Sequence, residues 1–450
     1  MPEPSPNRHS LARRSLSSAL ALARALAAVV CVIALFAIVD VAIHGANAKF
    51  WTLQNLQSIS VQNDFIVIAA VGMLLVIIAG GIDLSAGVMM ALCATVIAWG
   101  MREDIGFLIT HGENVPQAAR RMKISAETVR TAESKNDSAQ LQQTKAQLDH
   151  ERKRLAELLA IKVEQLEAQS PHGSQSQRAQ RTSRLDDLKK ALSAVREPDG
   201  PTEVDPYLLS LLPNAAGSPW LALLMGVGTG MLCGLLNGVI IVFLRVVPFI
   251  GTLGTMMIYL GLGQFVADET TIRPTGAQVP GWIEELSFAR PDPAWLVLSK
   301  GVWLALVIAG IMACILRYTV FGRYVFAIGS NESTARLCGI NVPATKIAVY
   351  VLSGLLVGIA AVCSFAATTT GDPSSGMGLE LKFIAAVVIG GGSLSGGRGT
   401  VIGALAGAII MGVIGAGCTL LGMRNWLQYI TLGVIIVVAV AIDQLRQKRE

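Results

Sequence analysis

Apolar runs recur along this chain near 23–43, 64–80, 84–100, 219–243, 249–267, 299–317, 347–369, 382–392, 400–421 and 425–443. Most approach the 17 to 25 residues that a helix needs to cross hydrocarbon, so the pattern predicts an all-α polytopic membrane protein with about ten transmembrane helices. Glycine interrupts the pairs around 64–100 and 382–421. Between the third and fourth runs lies a different kind of segment. Residues 102–206 are polar and rich in Gln, Lys, Glu and Ala. Leu141, Leu148, Leu155, Leu159 and Leu166 fall at sevens and fours there, which predicts an amphipathic helix of about 45 residues. The run Ser170-Pro-His-Gly-Ser-Gln-Ser breaks it, and Arg181 to Val195 reads as a shorter returning helix. The expectation is a soluble helical hairpin, either packed on itself or a partner, or a tolerated surface insertion. Lys145, Arg152 and Lys162 interrupt its apolar seam and argue against a long self-associating coiled coil. The chain thus divides into 1–101 with three spans, the insert at 102–206, and 207–450 with seven spans.

Composition agrees with the pattern: 52% of residues are hydrophobic and 15% charged, with a mean hydropathy of +0.55. Arg8, Arg13, Arg14 and Arg24 precede the first run, and Arg446, Lys448 and Arg449 close the chain. The positive-inside rule therefore places both termini in the cytoplasm, as an even span count requires. Threading ten spans from that side puts the loop 318–346, with Arg317, Arg323, Arg336 and Lys346 in or beside it, in the cytoplasm and the insert outside it. The stretch before the first apolar core is long and no small-residue cleavage site follows promptly, so the first helix reads as uncleaved. Seven cysteines are scattered at 31, 93, 233, 314, 338, 363 and 418, without disulfide or metal spacing. The net charge of +5 suits an anionic lipid bilayer and does not point to nucleic acid.

Within the loop 318–346, residues 328–341 read as a short polar helix. Asn331 suits an N-cap, Glu332 falls in the first turn, Arg336 in the last, and Gly339 is a natural stop. A short capped helix between spans has no evident part in holding a bilayer domain together. It is a docking surface for a separate motor or a plain connector. Glycines inside the spans are patterned as well. Gly226, Gly230, Gly234 and Gly238 line one face of a helix, and Gly403 and Gly407 repeat the spacing, which predicts seams of close helix packing. There is also an internal echo. Ala79-Gly-Gly-Ile-Asp-Leu-Ser and Gly390-Gly-Gly-Ser-Leu-Ser-Gly-Gly-Arg are two glycine-broken hinges between apolar segments, and discontinuous helices often mark a transport pathway. Candidate hinge residues are Gly80, Gly81, Asp83, Ser85, Gly391, Ser393, Ser395 and Arg398. A charge inside hydrocarbon costs about 2.5–3.5 kcal/mol on insertion scales, so Asp83 and Arg398 are expected at a cavity, a partner or an interface. Asp83 either caps the helix that starts near Leu84 or makes a gating contact.

Four stretches in order resemble the permease subunit of bacterial ABC sugar importers of the ribose and xylose type, within the family that also holds branched-chain amino acid permeases. They are Gly80-Gly-Ile-Asp-Leu-Ser-Ala-Gly; Gly234-Leu-Leu-Asn-Gly with Pro248-Phe-Ile-Gly-Thr-Leu-Gly-Thr-Met; Ile328–Asn341 with Lys346 and Val349-Tyr-Val-Leu-Ser-Gly-Leu-Leu; and Ile384 through Thr400. The resemblance covers about 50–100 and 219–443. It implies a permease that dimerises with a second copy, carries two cytoplasmic ATPase subunits and receives sugar from an extracytoplasmic binding protein. It also implies that Asn331, Glu332, Ala335, Arg336, Leu337 and Gly339 contact the ATPase. The insert departs from that family. Asn237, Thr252, Thr255 and Tyr259, with Gln264, are polar groups that line a passage or satisfy neighbouring helices. The chain itself is expected to be non-catalytic and to bind no cofactor, with ATP and Mg used by the partner, since no phosphate-binding G-x-x-x-x-G-K-[ST] loop is present. Other readings are a nucleoside or autoinducer cargo within the same family, or an ion-gradient-driven carrier. Against the carrier, Asp40, Asp64, Glu380 and Lys382 sit towards the predicted span ends.

Overall fold

The computed structural model describes residues 27, 29–45, 48–102, 115–134, 138–168, 175–197, 219–274, 278–288 and 297–447. The chain divides into two compact units, Met1–Trp99 with Pro219–Glu450, and Gly100–Ser218.

In the larger unit the helices are α1 (Val29–His44), α2 (Leu53–Gln62), α3 (Asp64–Ile78) and α4 (Ala86–Arg102). After the second unit, with α5 (Val115–Ser134), α6 (Ser138–Ala168) and α7 (Gln175–Arg196), come α8 (Pro219–Phe243), α9 (Pro248–Ala267), a single turn α10 (Gly281–Glu284) and α11 (Lys300–Tyr318). The chain continues through α12 (Val320–Ser330), α13 (Glu332–Leu337), α14 (Val342–Thr368), α15 (Leu379–Ile389), α16 (Val401–Leu420) and α17 (Asn425–Gln447). Each of the ten apolar runs coincides with one of these helices. Five of them, α8, α9, α11, α14 and α16, are long and apolar enough to cross a membrane. A sixth arises if α2 and α3, bent by 44° at Asn63, form one broken span. Among the rest, the 11 residues of α15 rise about 16 Å at 1.5 Å per residue, roughly half a hydrocarbon core.

The centre of the unit is α3. Thirteen of its fifteen residues are buried, from Asp64 through Ile78, and it is apolar on every side, as a helix enclosed by others must be. Around it pack α11, α12, α14, α15 and α16. By contrast α8, α9 and α11 turn large apolar side chains outward, among them Leu224, Leu232, Ile258, Ile311 and Phe265, the last 83% exposed. Continuous apolar surface of that kind calls for lipid or a partner subunit.

Three glycines of the α8 seam meet the backbone of α14, while Gly226 packs on Cys93 and Ile97 of α4. A Cβ on Gly230 would lie 2.4 Å from the Gly354 carbonyl oxygen, one on Gly234 2.3 Å from that of Tyr350, and one on Gly238 3.0 Å from Cα of Ile347. Gly358 meets Val227 in turn. Removing side chains lets the two backbones touch, and dispersion replaces the hydrophobic drive that lipid does not supply. The second seam packs α16 on α15: Gly403 against the Gly390 carbonyl, Gly407 against that of Ala386.

The smaller unit corrects the hairpin expectation. Its described residues form three helices, α5 (Val115–Ser134), α6 (Ser138–Ala168) and α7 (Gln175–Arg196). The long helix is 31 residues, not about 45, and a helix precedes it. The heptad reading counted leucines, whereas α5 faces the core with Val115, Ala118, Ala119, Met122, Ala126 and Val129. Leu148, Leu155 and Leu159 of α6 and Leu188 and Val195 of α7 complete that core. Arg152 reaches the Glu197 carbonyl at 3.3 Å, which is how a cation fits into an otherwise apolar seam. The side chain of Leu166 lies outside the described residues.

Gly234→Ala should lower the detergent melting temperature by an amount equivalent to about 1–3 kcal/mol, the usual cost of overpacking. Gly228→Ala, on the same helix with open space at its Cβ, should be neutral or gain about 0.5–1 kcal/mol from helix propensity. Equal effects would refute the seam.

Candidate functional site

The two hinges have the same local geometry for the same reason. At the end of α3 the Gly80 N–H donates to the Ile77 carbonyl and the Gly81 N–H to that of Val76, both at 2.9 Å, with Gly80 at φ 81°. At the end of α15 the Gly391 N–H donates to Val388 at 2.9 Å and the Gly392 N–H to Val387 at 2.8 Å, with Gly391 at φ 86°. Both are Schellman stops, which need a left-handed residue one step beyond the helix. The echo of Gly-Gly pairs in the sequence is therefore a repeated helix end. Beyond the second stop, Ser393 N–H donates to the Arg398 carbonyl at 3.1 Å and Gly396 N–H to that of Ser393 at 3.0 Å, closing a tight loop that also holds Ser395.

These hinges touch each other and the end of α12. The Gly397 N–H donates to the Ile78 carbonyl at 2.9 Å. A Cβ on Gly329 would sit 1.7 Å from that same oxygen, and one on Gly396 3.0 Å from the Gly80 Cα and 2.7 Å from the Gly329 carbonyl oxygen. Three chain segments thus meet backbone to backbone, with room for no side chain. Two residues past Gly329, Asn331 begins the next helix.

That helix, α13, is held rigidly. The Asn331 carboxamide oxygen accepts from the Thr334 N–H at 2.9 Å. A third Schellman stop, Gly339 N–H to Arg336 and Ile340 N–H to Ala335, both at 3.1 Å, closes it. Ala335 is buried against Ile328 and Val342. Glu332 accepts from Lys346 of α14 at 2.6 Å and from Arg336 at 3.1 Å. The bond from Lys346 above all holds the Glu332 carboxyl below the usual glutamate range, against an opposing effect of burial. A depressed value means that the stabilisation is present above the ordinary glutamate value and is lost as pH falls through the lower folded one. At this exposure such pairs contribute about 0.5–1 kcal/mol. Leu337 is the exception to this satisfaction: it is 88% exposed. Beside it a cleft of 820 Å³ runs between α13 and the α8–α9 turn, lined by Arg245, Val246, Val247, Arg336, Ile340 and Lys346 among others.

On the other side of the first hinge, polar groups far apart in sequence converge. The Asp83 carboxylate accepts from the Ser85 N–H at 2.9 Å and its hydroxyl at 2.6 Å. It therefore forms a turn with the residue just before α4 rather than capping the helix interior. The Asn237 amide donates to the Ser85 hydroxyl at 2.8 Å and at 3.4 Å to both Asp83 oxygens. Tyr259 donates to the Asn237 carboxamide oxygen at 2.9 Å and to the Cys233 carbonyl at 2.8 Å. Thr252 accepts from the Leu84 N–H at 3.1 Å, and Thr255 donates to the Thr252 carbonyl at 3.2 Å. All six of these residues named for hinge or pathway, Asp83, Ser85, Asn237, Thr252, Thr255 and Tyr259, are buried. They tie the first hinge to α8 and α9 rather than facing open space. Among the described residues no cation pairs with Asp83, so hydrogen bonds alone hold its carboxyl in the interior.

Sequence reasoning passed over Tyr350 and Ser353 of α14, whose buried hydroxyls have no hydrogen-bond partner among the described residues. It passed over Gly329, the tightest glycine of the junction. The signal for Tyr350 and Ser353 was a polar pair in an otherwise apolar run. Nothing local marked Gly329.

A family model described as the branched-chain amino acid transport system / permease component matches residues 206–440. The chain belongs to that family of membrane permeases. Among its relatives, the fructose import permease protein of Rhizobium meliloti is 35% identical over 230 residues, 51% of this chain and 64% of that protein. The ribose import permease protein of Escherichia coli K12 is 37% identical over 222 residues, 48% of this chain and 67% of its own length. The L-arabinose transport system permease protein of the same strain is 37% identical over 235 residues, 52% and 69% respectively. No solved structure matches the chain.

Asn237→Ala would remove the amide that donates to the Ser85 hydroxyl and to Asp83 and one of the two acceptors facing the Tyr259 hydroxyl. It should destabilise the protein by about 1–3 kcal/mol, read as a lower melting temperature in detergent. An unchanged melt would show that the cluster does not hold the hinge.

Proposed function

We propose that this chain is the membrane subunit of an ATP-driven importer for a monosaccharide of the ribose or xylose kind. It forms the translocation path and binds a separate ATPase through α13. The observation that carries this reading is Leu337, a fully presented apolar side chain on a helix that is otherwise capped, ion-paired and packed, directly continuous with the junction of both hinges. Permeases for fructose, ribose and arabinose among the relatives support a sugar cargo.

In this reading ten helices cross the inner membrane of a bacterium and both termini lie in the cytoplasm. The broken helices α3 and α15 span together with their neighbours rather than alone. The chain works as a homodimer and binds no cofactor of its own, while ATP and Mg belong to the partner. An extracytoplasmic binding protein delivers the sugar, and residues 102–206 contact that protein or a neighbouring envelope component. Closure of the ATPase pair moves α13 as a lever. Its movement passes through the Gly329 contact to Ile78 and Gly397, and the permease switches between two packings that open to opposite sides.

The second reading, an ion-driven carrier, has one observation in its favour: Asp64 is buried with its Oδ2 lacking a hydrogen-bond partner among the described residues. Uptake into vesicles driven by an ion gradient without ATP would establish it.

Leu337→Ala should weaken copurification of the ATPase by about thirtyfold, the 2 kcal/mol of an interface anchor, while the chain still inserts and melts normally. Undiminished assembly and uptake would overturn the docking role.

A further inference from the structure

The segment between α14 and α15 is neither helix nor surface loop. α14 stops at Thr369, φ 47°, and the chain then turns back along α4. A Cβ on Gly371 would lie 2.7 Å from the Thr95 Cα, and one on Gly376 2.1 Å from the Gly87 carbonyl oxygen and 2.9 Å from the Ala91 Cβ. Those contacts are eight residues apart on α4, about 12 Å along its axis. The deep end, at Gly87, is two residues from Ser85 of the buried polar cluster. There the half-length helix α15 begins and leads on to the second hinge.

Three sides of this segment are fixed. Gly371 exchanges a pair of 2.9 Å backbone hydrogen bonds with Ile272. Pro373 is buried against Gly263 of α9. The Glu380 carboxylate accepts from the Gly378 N–H at 3.0 and 3.1 Å and packs on Gly87. Asp372 accepts from the Ser374 N–H at 2.9 Å, and its carbonyl accepts from the Ser375 hydroxyl at 2.7 Å. The fourth side is open: Ser374, Ser375 and Met377 are exposed.

At membrane depth, non-helical backbone persists only where protein buries it or where it lines water. Here protein covers three sides, and the open one carries two serines and a methionine rather than the leucines and phenylalanines that α8 and α9 turn outward. We propose that residues 374–377 line the passage itself. The Ser374 and Ser375 hydroxyls face the hydroxyls of a neutral polyol, and Met377 faces its C–H surface. This rests on the importer reading above, and gives it a location for cargo contact that none of the buried pathway candidates supplies.

The test uses the assembled transporter with its ATPase and binding protein in vesicles, with the exposed thiols removed by Cys31→Ser, Cys314→Ser and Cys338→Ser. Ser374→Cys, Ser375→Cys and Met377→Cys are each exposed to a negatively charged, membrane-impermeant methanethiosulfonate, and both mass shift and uptake are read. The expected result is labelling of Ser375→Cys with loss of uptake, slowed when ribose and the binding protein are present, while Leu224→Cys on the outward apolar face stays unlabelled. No labelling in any nucleotide state would overturn the proposal. So would labelling that leaves uptake intact, or a spontaneous disulfide joining Ser375→Cys of two copies, which would make this face a dimer contact. Because the mass shift does not depend on transport, a parent that takes up no sugar while Ser375→Cys still labels would refute the importer and leave the water-lined segment standing.

Discussion

The larger unit is organised around one contact: the Gly329 backbone pressed on the Ile78 carbonyl, with Gly397 hydrogen-bonded to the same oxygen. Two helices stop short at this place, a third ends against them, and α13 starts just beyond it. Packed interiors have discrete arrangements rather than a continuum, so a backbone junction without side chains transmits a displacement instead of absorbing it. The caps on either side serve the same end. Asn331 and the Glu332–Lys346 pair make α13 stiff, and the Schellman stops make the ends of α3 and α15 reproducible.

The rest of the larger unit can be read as support for this junction. Enclosing α3 on every side fixes where Ile78 points. The glycine seam between α8 and α14 brings Asn237 and Tyr350 close to the first hinge, and the Asp83 cluster then binds that hinge to α9. Burial of a carboxylate without a cation is costly, and here neighbouring hydroxyl and amide groups offset the cost by satisfying it. The same hydrogen bonds make the cluster sensitive to any change in the distance between α8 and the hinge.

Much of the fold was legible in the chain because its signals are local. Ten apolar runs fall on helices, and Asn331 and Gly339 bound the short helix from residue type alone, since capping depends on a few adjacent side chains. What was not legible is long-range. Asn237 and Tyr259 are polar residues in apolar runs, but their convergence on Asp83 joins positions more than 150 apart. The helix α5 escaped notice because alanines, not leucines, line its inner face. The segment 371–378 carries no local signal of its place, since only the contacts of Gly371 and Gly376 with α4 reveal its depth. The two hinges were recognised as an echo, yet their contact through Gly329 left no mark in the pattern.

The most direct test of the junction is Gly329→Ala, with transport and ATP hydrolysis measured side by side in the reconstituted complex. The added methyl would overlap the Ile78 carbonyl, so the account predicts a complex that assembles with its ATPase and hydrolyses ATP but imports no sugar. Normal uptake by correctly inserted Gly329→Ala protein would contradict it.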